Sequence, residues 1–464
     1  MSTLPHRFTI PLLLAALLFA WAGCSSPSER ERVVEGVGEP VWVRDAVIYE
    51  IFVPDFSEEG TFRGVIDRLD ALDQMGVTTL WLMPIHPIGE ERRKGVLGSP
   101  YAIKDYFAVN PEYGTKEDFQ ALVDSVHARD MHIIIDYVAN HTAWDHPWTT
   151  ERPDWYTRTE AGSLTVPVSP QGDTTDWTDV ADLNYRNEAL RQTMIDAMQY
   201  WVEEFDIDGY RADVAGWVPS DFWTAAIDSV ETIKPVLMLA EHDDPTIHRT
   251  GFDLTYSWPF YNRLKEVWNG APAHQLAAQV ETVSEQLPSR AKRLRFTTNH
   301  DETAWDAPPT QLFGGVEGSK AAFVLTASMP GVPLLYNGQE LAVRDTVPFF
   351  EATPYDWTQD DTLIPFYSRY LAAYRESPAL RRGTFGALTP DASDVLMFTR
   401  TADTEQLLIA VNVRDTTTSV PVPAPYNEQK LTSILDSTTV ATDSLRLGPY
   451  GYHLLRVETP EPTG

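Results

Sequence analysis

The sequence predicts an α/β fold: a (β/α)8 barrel followed by a C-terminal antiparallel β domain. Three patterns in the 464-residue chain support this prediction. Short apolar runs alternate eight times with amphipathic stretches. A long stretch without helical periodicity interrupts the alternation after the third run, and beyond about residue 381 the pattern changes to short strand-like runs separated by turn residues. Repeated strand–helix alternation is typical of parallel strands joined by crossover helices.

The apolar runs have the character of parallel strands that are buried on both faces. They are short and apolar at consecutive positions rather than at alternate ones. Right-handed crossovers between such strands close them into a barrel. The runs are 46–52, 79–83, 132–136, 207–213, 236–241, 252–256, 294–298 and 333–336.

Amphipathic helices are predicted between these strands. In 62–75 the apolar residues recur at steps of three and four, and the same spacing continues in 115–129. Thr115 followed by Asp118 fits an N-terminal capping pattern. Further helical patterns cover 187–205, 220–233, 319–327 and 363–374.

The domain boundaries follow from these patterns. We expect the catalytic barrel to occupy 41–381, with an inserted subdomain at 141–186, and a β-sandwich domain to occupy 382–464. The insertion is rich in Thr, Asp, Trp and Pro and leaves the carboxyl end of the third strand. A long irregular segment in a compact domain is usually functional.

The amino terminus has the features of a targeting segment. A weakly basic head precedes the apolar run 8–20, which is short for a membrane span and predicts a signal peptide over 1–23. The segment before Cys24 resembles a bacterial lipobox, with Trp21 as a departure. We expect lipidation of Cys24, a polar linker over 24–40, and residence in the cell envelope at the outer membrane or cell surface. The alternative is simple secretion with a free thiol.

The charge excludes one class of partner. The formal net charge is −31, and nucleic-acid binding depends on Lys and Arg that neutralise phosphates. An acidic excess spread along the whole chain also fits adaptation to high salt, which remains a hypothesis. With a single cysteine, no internal disulfide is possible.

Ionisable side chains gather at the predicted strand ends. In a (β/α)8 barrel the active site lies at the carboxyl ends of the strands. There the sequence places Asp136, Arg211 with Asp213, Glu241, and His300 with Asp301. A single strand-end acid often only caps a helix or forms a structural ion pair. Several carboxylates in one crater are costly unless they have a function.

Two carboxyl groups flanking one bond are what glycoside hydrolysis requires. Arg211 lies two residues from Asp213 on a strand, so both side chains face the same way, and the guanidinium favours an ionised nucleophile. Glu241 follows an apolar strand and lies near other carboxylates. Both features raise a pKa, as an acid/base requires.

The chain resembles glycoside hydrolase family 13, the α-amylase family, over about residues 47–340. All four short regions of the family occur in order. They are Asp136-Tyr-Val-Ala-Asn-His141, Gly209-Tyr-Arg-Ala-Asp-Val-Ala215, Glu241, and Phe296-Thr-Thr-Asn-His-Asp301.

The resemblance implies a role for each matching residue. Asp213 corresponds to the nucleophile, Glu241 to the acid/base, and Asp301 to the third carboxylate, which binds sugar hydroxyls. The substrate-binding residues would be Tyr101, Asp136, His141, Arg211 and His300. In many members the residue matching Asn140 ligates a structural calcium. Here it either does so with acids of the insertion or only fixes the loop by hydrogen bonds.

The resemblance implies a retaining hydrolase of α-glucosidic bonds, mainly α-1,4, in starch-derived glucans. No cofactor is required for the chemistry, and structural calcium is the one metal considered. Val214 stands where α-1,6-acting members often carry Val, so linkage preference is open. The alternatives are a transglycosylase or isomerase of small α-glucosides and a barrel that binds glucan without catalysis.

Overall fold

The computed structural model describes residues 40–358, 363–388 and 393–458. The predicted signal peptide, nearly all of the predicted linker and Cys24 lie outside the described residues. None of the helices within the described ranges is long and apolar enough to cross a membrane.

Eight parallel strands form a closed barrel, as the sequence predicts. The first strand pairs with both the second and the last, so that Ile48 lies opposite Thr79 on one side and Leu334 on the other. Nearly every strand residue is buried, which explains the unbroken apolar runs. The barrel strands are β1 (Ile48–Ile51), β2 (Thr79–Leu82), β3 (His132–Tyr137), β6 (Gly209–Ala212), β7 (Leu237–Ala240), β8 (Leu254–Tyr256), β9 (Lys292–Arg295) and β10 (Val332–Tyr336), and β4 and β5 belong to the insertion.

The helices surround the barrel. The 115–129 prediction is confirmed as a helix that begins with a capping box, in which Thr115 and Asp118 exchange side-chain and backbone hydrogen bonds. The helices are α1 (Val53–Phe56), α2 (Phe62–Ile66), α3 (Leu69–Met75), α4 (Lys116–His127), α5 (Trp148–Glu151), α6 (Glu188–Phe205), α7 (Ser220–Glu231), α8 (Trp258–Trp268), α9 (His274–Ser284), α10 (His300–Trp305), α11 (Pro309–Leu312), α12 (Gly315–Ala327), α13 (Ile364–Glu376) and α14 (Pro378–Arg382). Short 3-10 turns connect some of them.

Two helical features differ from the predictions. The single helix expected over 62–75 is two helices, α2 and α3, because the chain tightens between them, where the Arg68 N–H bonds to the Val65 carbonyl three residues back. Both pieces keep the predicted apolar face buried. The helices α8 and α9 were not predicted from the sequence.

A small two-stranded ribbon at the barrel rim joins the two ends of the insertion. The strand β4 (His141–Ala143) pairs antiparallel with β5 (Val180–Asp182), so that His141 lies opposite Asp182. This β4–β5 ribbon brings the far end of the insertion beside the end of β3. A segment whose sequence shows no helical period is thereby fixed above the barrel mouth.

The C-terminal region is antiparallel, as predicted. Its main sheet has the order β11-β12-β13-β18-β15-β16, and β14 pairs with β17. Alternate residues of β12 serve two cores: Leu396 and Phe398 pack with the barrel core, whereas Val395 and Met397 pack in the smaller one. The strands are β11 (Thr384–Leu388), β12 (Val395–Ala402), β13 (Glu405–Asn412), β14 (Thr418–Pro421), β15 (Lys430–Ser433), β16 (Thr439–Val440), β17 (Ser444–Leu447) and β18 (Tyr452–Glu458).

A buried carboxyl holds the loop that follows the last barrel strand. Asp55 accepts a hydrogen bond of 2.6 Å from the Thr353 N–H, and its backbone carbonyl accepts one of 2.8 Å from the Tyr355 N–H. Burial raises the pKa of Asp55 to about 8, against the opposing effect of the Thr353 bond. Asp55 is therefore protonated in the folded protein at neutral pH.

We predict that Asp55→Asn makes stability less sensitive to pH. The folded-state pKa lies above the ordinary value of ~3.9, so the contribution of Asp55 is fully present below about pH 4 and is lost as the pH rises toward 8. The asparagine keeps an oxygen for the Thr353 N–H and has no proton to lose. Chemical denaturation at pH 5 and pH 8 should show a smaller loss of unfolding free energy in the variant than in the wild type. An equal loss in both proteins would contradict the assignment.

Candidate active site

A pocket of about 550 Å³ opens at the carboxyl ends of the barrel strands. This size lies in the usual range of small-molecule sites. Six of the eight predicted catalytic and substrate-binding residues line it, namely Tyr101, His141, Asp213, Glu241, His300 and Asp301. The other two, Asp136 and Arg211, are fully buried beneath it. The structure therefore brings all eight together.

Arg211 is the centre of the site. Its Nη1 lies 2.8 Å from Asp136 Oδ1 and 3.0 Å from Asp213 Oδ1, and its Nη2 lies 3.0 Å from Glu241 Oε2. Its Nε donates to the Tyr256 hydroxyl at 3.3 Å. One guanidinium thus holds three carboxyl groups on neighbouring strands in fixed positions, which its planar fork of donors allows.

The carboxyl groups outnumber the cation that they share. Burial raises the pKa of Asp213 well above its usual range, although Arg211 opposes the rise. Burial also raises the pKa of Glu241 against the opposing effect of Arg211, and the charge of Asp301 adds to the rise. Close carboxylates of like charge do not all ionise together. Arg211 lowers the pKa of Asp213 as the sequence predicts, but burial is the larger effect.

The backbone next to Asp213 positions Glu241. Val214 adopts left-handed angles of φ 36° and ψ 45°, which are unusual for a β-branched residue. This conformation directs the Val214 N–H to Glu241 Oε2 at 2.7 Å. Because the Val214 N–H donates to Oε2 and the Arg211 Nη2 cation lies 3.0 Å from the same oxygen, the proton of a neutral Glu241 belongs on Oε1.

A second hydrogen-bonded chain crosses the floor of the pocket. Glu50 Oε1 lies 2.5 Å from His300 Nδ1, and His300 Nε2 lies 2.9 Å from the Tyr101 hydroxyl, which reaches Asp136 Oδ2 at 3.1 Å. Burial lowers the pKa of His300, but the charges of Asp301 and Glu50 outweigh it and raise the pKa to about 9. His300 is therefore a cation at neutral pH, with both ring N–H groups held.

His141 has the opposite character. Burial lowers its pKa to about 4, so the ring is neutral. The amide nitrogen Nδ2 of Asn140, which can only donate, lies 3.3 Å from His141 Nδ1. The remaining ring proton is then on Nε2.

The residues proposed for calcium do not form a fitting ligand set. Asn140 is directed at the His141 ring, and its carbonyl accepts from the Leu183 N–H at 3.1 Å. Of the acids in the insertion, Asp179 is paired with Lys94 at 2.8 Å. The Lys94 cation therefore occupies a carboxylate oxygen that calcium would need as a ligand. Within the described ranges, no three His, Cys, Asp or Glu residues are grouped for a metal. These contacts favour the alternative in which Asn140 fixes the loop by hydrogen bonds.

Four tryptophans, three in the insertion and one after β6, separate into two groups by their contacts. Trp144 lies under the Arg92 guanidinium at 3.6 Å, and Trp148 packs against Tyr106, as loop-packing residues do. Trp177 lines the pocket and stacks on Trp217, with ring centroids 5.1 Å apart. Of this stacked pair, Trp177 is the member that lines the pocket.

Several residues of the site were not found from the sequence. Glu50 is a fully buried acid inside an otherwise apolar strand, and that contrast is a signal the sequence contains. Trp81, whose Nε1 donates to Asp136 Oδ2 at 3.3 Å, and Tyr256 have the appearance of ordinary core residues. Phe349 and Trp305 line the pocket from segments with no distinguishing pattern.

Comparison with known proteins agrees with this geometry. The model of the α-amylase catalytic domain matches residues 48–373, and that of the maltogenic amylase C-terminal domain matches 385–454. The chain belongs to the α-amylase family. It is a glycosidase, and the retaining double-displacement reaction is that of its family.

Individual relatives are distant but extend over most of the chain. Alpha-amylase 2 of Dictyoglomus thermophilum is 25% identical over 91% of this chain and 78% of its own length. The structure of a noncanonic maltogenic α-amylase, AmyB, from Thermotoga neapolitana has a TM-score of 0.81 at 28% identity, covering 90% of this chain and 99% of that one. An α-amylase structure from Lactobacillus plantarum has a TM-score of 0.80 at 30% identity, with 89% and 99% covered.

We predict that Glu50→Gln shifts the alkaline limb of the pH–activity profile to lower pH. Glutamine keeps an acceptor for His300 but removes the charge that helps to hold the His300 pKa near 9. The cation is then lost at a lower pH. At pH 8 we expect kcat/KM to fall by up to about tenfold, the value of one weakened charge-assisted hydrogen bond, with little change at pH 6.

The matched control for this measurement is Asp208→Asn. Asp208 is also a buried acid paired with a histidine, His127, at 2.8 Å, but it lies just before β6 at the opposite end of the barrel. We expect this variant to keep the wild-type alkaline limb even if it loses stability. An unchanged limb in Glu50→Gln would show that Glu50 does not act through the charge of His300.

Proposed function

We propose that this protein hydrolyses α-1,4 bonds of starch-derived glucans or malto-oligosaccharides with retention of configuration. The observation that supports the proposal most directly is the sharing of Arg211 by Asp213 and Glu241 at the pocket floor. Retaining enzymes need two carboxyls close together on either side of the scissile bond. The α-amylases and maltogenic amylases among its relatives support this substrate class.

The first step forms a covalent intermediate. Asp213 reacts as the carboxylate, the form that Arg211 stabilises at 3.0 Å against the effect of burial. The carboxylate attacks the anomeric carbon, and the bond from that carbon to the glycosidic oxygen breaks as Glu241 transfers its Oε1 proton to that oxygen. The bond electrons remain on the leaving oxygen, which departs as the sugar hydroxyl. Glu241 is now ionised, and Arg211 and the Val214 N–H stabilise its charge.

The second step releases the product. Glu241 takes a proton from a water molecule, whose oxygen attacks the anomeric carbon and displaces Asp213. Two inversions give net retention. Asp301 and His141 are placed around the pocket to bind hydroxyls of the reacting sugar. His300 lines the pocket beside them and holds the Tyr101 hydroxyl, and Tyr101 offers its ring as a stacking surface.

Two alternatives remain and make different predictions. A transglycosylase or isomerase of small α-glucosides would use the same carboxyls but return rearranged sugars instead of shorter ones. A barrel that binds glucan without catalysis would require loss of one of the three carboxyls, and all three are present at the pocket. The preference between α-1,4 and α-1,6 bonds is also a proposal. Val214, which stands where α-1,6-acting members often carry Val, lines the pocket beside Glu241.

We predict that the purified protein cleaves maltoheptaose to shorter maltodextrins and that Asp213→Asn lowers the rate by a factor on the order of 10⁴ or more, as loss of a nucleophile does elsewhere. Products are followed by chromatography, with pullulan as a parallel test of α-1,6 cleavage. Asp228→Asn, which changes an acid on α7 outside the pocket, is the control and should retain activity. Full activity in Asp213→Asn would exclude the proposed mechanism.

We further propose that the protein is held in the cell envelope by a lipid on Cys24, a proposal that depends on the sequence alone. In a bacterial host, the wild type should incorporate labelled fatty acid and partition with membranes. Cys24→Ala should be unlabelled and soluble. Equal partitioning of the two proteins would favour simple secretion.

A further inference from the structure

Building on the proposed function, we propose that residues 89–98 close the pocket on its non-reducing side and thereby restrict the enzyme to chain ends. We call this segment, which connects β2 to Tyr101, the bridging loop. It contacts two separate walls of the pocket, the insertion and the loop that follows β10. A pocket closed on its non-reducing side admits a glucan only if the chain enters with its non-reducing terminus first.

The bridging loop is fixed to the insertion by charged side chains. Lys94 Nζ lies 2.8 Å from Asp179 Oδ1, and the Asp179 side chain is only 6% exposed. The Arg92 guanidinium lies 3.6 Å above the Trp144 ring, and the Glu90 N–H donates to Asp145 Oδ2 at 3.1 Å. The Lys94 pair is the contact that matters here, because both of its members line the pocket.

The same loop is joined to the opposite wall through Phe350. The Leu97 N–H donates to the Phe350 carbonyl at 2.9 Å, and Lys94 Nζ lies 5.8 Å from the Phe350 ring. Gly95 has a φ of 63°, and a Cβ there would lie 2.6 Å from Phe350 Cβ and 2.8 Å from its carbonyl oxygen. Only glycine allows the two loops to approach so closely.

The position of Phe349 shows which end of the pocket is closed. Its ring stacks on Tyr101 at 6.0 Å, with an interplanar angle of 12°, and lies 5.8 Å from the His300 ring. Tyr101 and His300 surround the sugar whose anomeric carbon reacts. Glu241 faces the leaving group, and the Val214 N–H that donates to it marks the leaving side.

The bridging loop therefore lies beyond the reacting sugar on the non-reducing side. An internal segment of a long glucan would have to pass where Lys94 lies 2.8 Å from Asp179 and 5.8 Å from the Phe350 ring. A chain that enters by its end stops against these residues instead. The distance from this wall to the carboxyls then fixes the length of the product.

The test uses two 4-nitrophenyl maltoheptaosides that differ only at the non-reducing glucose, which is either free or blocked by an acetal across O4 and O6. We expect the wild type to release one short product from the free substrate. We expect it to cleave the blocked one at least about tenfold more slowly, because the added group cannot enter the closed pocket without displacing protein atoms.

Lys94→Met and Gly95→Ala test the role of the bridging loop. Lys94→Met removes the ion pair and keeps the length of the side chain, whereas Gly95→Ala forces the loop away from Phe350. Each should accelerate cleavage of the blocked substrate relative to the free one and broaden the range of products. Lys320→Met is the matched control: Lys320 also forms an ion pair, at 2.8 Å from Glu317 within α12, but does not line the pocket.

The outcomes are distinct. Equal cleavage of free and blocked substrates by the wild type would overturn the closed pocket while leaving the proposed hydrolysis intact. If both variants melt at the wild-type temperature and still discriminate as the wild type does, the bridging loop is not the barrier and the proposal fails. No cleavage of the free substrate would instead remove the proposed function, on which this inference rests.

Discussion

The buried Arg211 is the interaction on which the rest of the site depends. A buried charge is destabilising unless it is paired and hydrogen-bonded, and here the partners come from β3, the end of β6 and the end of β7. The register pairs Asp136 with Arg211, and Arg211 with Leu239. A slip by one residue would turn the guanidinium or a carboxylate out of the barrel. The same contacts of Arg211 therefore fix both the electrostatics of the site and the register of the barrel strands.

The balance of charge explains how the site keeps a proton for the leaving group. Five carboxyls gather around two cations, Arg211 and His300; they are Glu50, Asp136, Asp213, Glu241 and Asp301. Full ionisation would leave a large negative charge where water is excluded, so burial favours protonated carboxyls. Glu241 can use its proton productively because the Arg211 cation and the Val214 N–H both approach one oxygen and leave the other for transfer.

Much of the fold and the first layer of the site could be predicted from the sequence because local patterns determine them. The barrel strands are apolar runs, and Asp213, Glu241 and Asp301 follow strand ends. Glu50 reaches His300 across 250 positions of sequence, and no local pattern shows that contact. The break between α2 and α3 is a local tightening at Arg68, which leaves the three- and four-residue spacing of apolar residues unchanged and so does not show in the pattern.

The insertion shows why the remaining features required the folded chain. Its β4–β5 ribbon, the Asn140 carbonyl and the Lys94–Asp179 pair fasten it to the rest of the chain. Lys94 in the sequence is one cation in a charged run, and Asp179 is one acid among several in an irregular segment. Only the contact between the two side chains in the folded protein marks Lys94 and Asp179 as part of the pocket wall. Because this one contact both fastens the insertion and bounds the pocket, a change that loosens the insertion should also change which glucans enter.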